Sequence, residues 1–125
     1  MRRMIKLSLT LNIAVLVPIV IGLALDTGWV ARAYGDSTQA RDILLSIYLA
    51  IALLSLVLLI RPDRRMTTAL LFVQVVYKVT TPFTVGTLQN PVVISNLAIS
   101  VVHTATLILM LRESRTVGPP ARLVV

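Results

Sequence analysis

Seven side chains in this sequence could do chemistry together. Gln74, Lys78 and Thr81 follow i, i+4, i+7 spacing, so a helix would set them on one face. Asn96, Ser100 and His103 repeat that spacing further along, and Tyr77 stands beside Lys78. An ammonium at Lys78 could hold an anion or a lipid headgroup, contact a quinone, or pair with a partner subunit. The imidazole of His103 could relay a proton or ligate haem iron. Gln74, Asn96, Ser100 and Tyr77 could orient a ligand through hydrogen bonds.

Each residue also has a plainer reading. No Asp or Glu lies within the apolar run around Lys78, and Asp26 is the nearest candidate partner. An unpaired ammonium near a bilayer centre costs about 2.5–3.5 kcal/mol. Lys78 could relieve this by snorkelling along its own stem, by an internal hydrogen bond, or by staying neutral when desolvated. His103 is the only histidine, whereas haem held between membrane helices usually wants two axial ligands. Its plainer role is an interhelical hydrogen bond, with Gln74 as a partner, worth about 0.6 kcal/mol. Asn12, Asn96 and the hydroxyl residues read as packing glue, and Tyr48 and Tyr77 as packing or interface residues. Gly22, Ala50 and Ala52 would allow helices to approach closely. Apart from Asp26 and Asp42 at run ends, only His103, Lys78 and Tyr77 could serve acid–base catalysis, so the sequence leans against an enzyme.

The elements that must position these residues are four apolar runs, 7–25, 43–60, 66–85 and 92–111. Each is long enough for a helix to cross roughly 30 Å of hydrocarbon. Lys78 is the one charged residue inside them. Charged residues make up 14% of the 125 residues and hydrophobic ones 57%, against about 25% charged in a soluble domain. The chain reads as an all-α integral membrane protein, a four-helix bundle in one domain, 1–111.

Local signals mark the helix ends. Trp29 and Tyr34 suit a membrane interface, and Gly35 breaks the chain. Asp36 can cap the second helix with Gln39 as its capping-box partner, starting that helix in water. Pro62 ends it, and Asp63 can cap the third. Asn90-Pro91 is a cap followed by a proline at the first helical position. Pro18 predicts a kink in the first helix. The short second and third links predict consecutive hairpins, in up-down-up-down order. Rise per residue then sets Gln74 and His103 near the midplane and Lys78 about 10 Å below the outer boundary.

Basic residues give the orientation. Arg2, Arg3, Lys6, Arg61, Arg64, Arg65, Arg112, Arg115 and Arg122 fall on one side, and Arg32 and Arg41 on the other. Nine against two predicts both termini in the cytoplasm, and a bacterial source would make this the inner membrane. Ala31-Arg32-Ala33 resembles a signal-cleavage site, but the first run is longer than a signal h-region of about 7–15 residues. It therefore reads as a retained helix. Residues 112–125 read as a basic, disordered cytoplasmic tail. The net charge of +7 reflects this asymmetry rather than nucleic-acid binding, which needs a continuous basic surface. Absence of cysteine excludes disulfides, thiolate metal sites and dithiol redox chemistry.

Two functional readings follow. The first is a structural or accessory subunit, packing on a larger membrane complex or self-associating, as short links and the lack of catalytic groups suggest. The second is a binding or transport protein for an anionic, quinone-like or lipid molecule held around Lys78 and His103. Transport by so few helices would call for a dimer. No cofactor is implied, although a haem or quinone contact stays open.

Overall fold

Where the solvent is hydrocarbon, backbone polar groups must be satisfied within the segment, so long apolar runs become helices. The computed structural model describes residues 2–117, which are helical apart from short connections and contain no strand. The helices are α1 (Arg2–Leu25), α2 (Gly28–Tyr34), α3 (Gln39–Ile60), α4 (Arg64–Val85) and α5 (Pro91–Val117). All but α2 are long and apolar enough to cross a membrane, with spans of 22 to 24 residues. At 1.5 Å per residue that is about 33–36 Å.

The core is a set of seams with alternating three- and four-residue spacing. On α1, Leu9, Asn12, Leu16 and Leu23 are buried along one stripe, and on α3 so are Tyr48, Ile51, Ser55 and Leu58. Thr67, Leu71, Gln74 and Lys78 continue the pattern on α4, and Val93, Asn96, Ser100, His103 and Met110 on α5. Such spacing keeps one stripe facing a partner helix over several turns. The outer surface is apolar, with Leu53, Phe72, Phe83 and Val101 exposed. Apolar side chains outside and polar ones inside suit a protein solvated by lipid.

The packing keeps the hairpin of α4 and α5 and departs from the expected one of α3 and α4. The most extensive interfaces are α1 on α3 and α4 on α5. α3 and α4 touch sparingly, although only residues 61–63 join them. The seam of α3 is taken up by α1, whose Leu9, Leu16 and Leu23 pack with Tyr48, Ile51 and Leu58.

Helix ends follow the local chemistry with three differences. Thr38, not Asp36, caps α3, its hydroxyl accepting from the Arg41 N–H at 3.2 Å. Asp63 caps α4 by accepting from the Met66 N–H at 3.0 Å. Asn90 caps α5 by accepting from the Val92 N–H at 2.8 Å, with Pro91 as the first helical residue. Residues 28–34, in the link between the first two apolar runs, form α2. Val30 plugs this helix into the core, and Gly22 of α1 lets it approach: a Cβ there would sit 2.5 Å from the Trp29 ring. Gly35 ends α2 with φ +88°, a conformation that favours glycine. α1 is continuous through Pro18. α5 runs on through residues 112–117 of the expected tail, where Arg64 donates to the Met110 carbonyl at 2.7 Å and pairs with Glu113 at 3.2 Å. The remainder of that tail, 118–125, lies outside the described residues.

Candidate functional site

At mid-bundle, one asparagine ties four helices together. Asn12 of α1 donates to Ser55 Oγ of α3 at 3.1 Å and to Gln74 Oε1 of α4 at 2.7 Å. Its Oδ1 accepts from Gln74 Nε2 at 3.0 Å and lies 2.9 Å from His103 Nε2 of α5. Both donors and both acceptor positions of the amide are therefore used. Asn12, Ser55, Gln74 and His103 all stand at 2% exposure or less. With the amides so oriented, His103 carries its proton on Nε2, and Nδ1 has no partner among the described residues. One turn along α1, Ser8 and Thr106 share a hydrogen bond of 2.8 Å.

Gln74 and His103 thus meet through Asn12 rather than with each other. The haem reading does not fit this donor set: the ring is fully buried, and Nε2 is engaged by Asn12. Among the described residues, no three His, Cys, Asp or Glu side chains gather as metal ligands.

One turn beyond Gln74, the environment changes. Lys78 is 3% exposed, so its side chain is held inside the bundle rather than reaching the surface of the chain. Its Nζ donates to Asn96 Oδ1 at 3.3 Å and lies 4.8 Å from the centre of the Tyr77 ring. Asn96 is held in turn, its Nδ2 donating to Thr81 Oγ1 at 3.3 Å. Thr81 donates to the Tyr77 carbonyl at 2.6 Å. This chain aims the Asn96 carbonyl oxygen at Lys78. An ammonium has three donors, and among the described residues Lys78 uses one. Asp26, the expected carboxylate partner, is paired with Arg41, which also donates to the Gly35 carbonyl at 3.0 Å.

Lys78 opens onto a cavity of about 200 Å³ walled by Trp29, Tyr48, Ser95 and Asn96. Tyr48 and Asn96 also line a wider cleft of about 670 Å³, with Tyr34, Tyr77, Thr81 and Thr84. The buried hydroxyls of Tyr34 and Tyr77 have no hydrogen-bond partner among the described residues. Burial pushes the Tyr34 phenol up to about 12, so at neutral pH it is a donor. Asn90 secures the α2 wall by donating to the Ala33 carbonyl at 2.7 Å. The wall set is rich in donors and lacks a carboxylate, a combination that suits a small ligand bearing an acceptor or a negative charge.

The sequence-derived set therefore divides. Gln74 and His103 belong to the Asn12 network. Lys78, Asn96 and Tyr77 belong to the cavity end. Ser100 lies between and donates to the Leu97 carbonyl of its own helix at 2.7 Å. Asn12, Trp29, Tyr34 and Tyr48 are the residues that spacing on one helix left out. No protein-family model matches the chain, and neither a curated protein nor a solved structure matches it.

Proposed function

We propose that this is a small multi-pass membrane protein that binds an anionic or quinone-like small molecule against Lys78. One observation carries the reading: a buried ammonium with a single hydrogen bond among the described residues opens onto a cavity, and the cleft that shares Tyr48 and Asn96 with that cavity is lined by two phenols without partners there. A charge so expensive to bury and so little used by the fold points to a ligand's charge or acceptor. The chain crosses the cytoplasmic membrane four times in alternating directions, with both ends in the cytoplasm. The nine-to-two distribution of basic residues supports this. So do the bonds joining the start of α1 to the end of α5, at Ser8 and Thr106, and the start of α4 to the end of α5, at Arg64 and Met110.

A second reading, an accessory subunit of a larger membrane complex or a homo-oligomer, is favoured by the Asn12 network. Its polar groups serve only to fasten helices, which is what a scaffold requires. The two readings separate by titration. Trp29 is the single tryptophan and walls the cavity, so its emission reports occupancy. Benzoate and benzyl alcohol are close in size and differ in charge. Benzoate should change the emission saturably, with benzyl alcohol binding at least about tenfold more weakly (roughly 1.4 kcal/mol). Lys78→Met should abolish the preference. Equal response to both compounds, or an unchanged preference in Lys78→Met, would leave the accessory reading standing.

A further inference from the structure

A second cavity, of about 730 Å³, lies at the opposite end of the bundle, where α1, α3 and α4 meet. It occupies the seam at which α3 and α4 touch sparingly. Its floor is apolar, with Leu9 and Leu58 almost fully buried, and Thr67 beside them. Its rim is charged. Arg2 and Lys6 are four residues apart on the first turns of α1 and therefore share a face. Both are exposed, and neither makes an ion pair among the described residues. The acids at the rim are already engaged: Glu113 with Arg64 at 3.2 Å, and Asp63 with the Met66 N–H at 3.0 Å.

We propose that this crevice binds an anionic phospholipid, its phosphodiester on Arg2 and Lys6 and an acyl chain against Leu9 and Leu58. Two cations without acid partners at the mouth of an apolar slot match a headgroup that is anionic and a tail that is not. Basic pockets between membrane helices recognise lipid headgroups by this combination. The site is separate from the Lys78 cavity and shares no lining residue with it.

The test is retention of lipid by the purified full-length protein in mild detergent, read by native mass spectrometry. Phosphatidylglycerol and phosphatidylcholine with identical acyl chains are the probes. Arg2→Gln/Lys6→Gln is compared with Arg61→Gln/Arg65→Gln, which removes the same charge from exposed residues that do not line the crevice. Wild type should retain phosphatidylglycerol over phosphatidylcholine. The first double variant should lose about 30-fold in that preference, which is about 1 kcal/mol per cation. The second should stay within about threefold of wild type. Equal retention of both lipids by wild type overturns the proposal. So does a preference that survives Arg2→Gln/Lys6→Gln, or one that falls equally in both double variants.

Discussion

The bundle holds two buried polar regions one helical turn apart, built on opposite principles. Around Asn12 every hydrogen-bonding atom of the Asn12 and Gln74 amides has a partner, and the partners come from four different helices. Around Lys78, among the described residues, the ammonium has one bond, and the phenols of Tyr34 and Tyr77 have none. Both regions are deep inside the chain, so burial does not separate them. Saturation does. A network in which, among the described residues, only His103 Nδ1 lacks a partner fastens helices and has no free donor to offer an anion. An unsaturated one beside a cavity still has its donors available.

The comparison can be broken by removing one residue from each region. Asn12→Leu should have the largest effect. It deletes four hydrogen bonds, at roughly 0.6 kcal/mol each in membrane proteins, and leaves Gln74 and His103 buried without their common partner. A loss of about 2–3 kcal/mol is expected in a reversible detergent-unfolding titration, and a change below about 0.5 kcal/mol would deny the network its fastening role.

Gly22→Ala should come next. The added methyl would meet Trp29 Cζ2 at 2.5 Å and Val30 Cγ2 at 3.0 Å, so α2 must shift and carry the cavity wall with it. Overpacking costs about 1–3 kcal/mol, and the lower end applies here because the Trp29 ring is partly exposed. Tryptophan emission should move while the Asn12 network stays intact. An unchanged spectrum would mean that α2 does not lean on Gly22.

Lys78→Met should have the smallest effect on stability, neutral or slightly stabilising, within about 0.5 kcal/mol, because an apolar chain of similar length replaces a buried charge. A loss of 2 kcal/mol or more would make Lys78 another fastening residue and erase the contrast with Asn12.

Much of this is legible in the sequence. Four spans follow from apolar run length, and the polar faces of α4 and α5 follow from i, i+4, i+7 spacing at Gln74, Lys78, Asn96, Ser100 and His103. The division of that set was not legible, because it depends on a residue from another helix. Asn12 on its own is indistinguishable from packing glue. Its place in the three- and four-residue alternation with Leu9, Leu16 and Leu23 was the available signal, and it marks a seam position rather than the partners across it. α2 was missed because seven residues with an exposed Trp29 read as an interfacial link. Only the docking of Val30 over Gly22 makes them a helix with a buried side. The pairing of Arg41 with Asp26 was legible in part, since the two stand 15 residues apart in the same link, whereas Lys78 lies on another helix.

The most direct test uses the absence of native cysteine. Ser95→Cys places a thiol in the Lys78 cavity, and Ser55→Cys places one in the Asn12 network. Each variant is treated in membranes with an anionic and a cationic methanethiosulfonate of matched size. The account predicts that Ser95→Cys reacts, faster with the anionic reagent, and loses that preference when Lys78→Gln is added, while Ser55→Cys stays unreactive. Reaction at Ser55→Cys comparable to that at Ser95→Cys, or a Ser95→Cys rate indifferent to reagent charge, would contradict it.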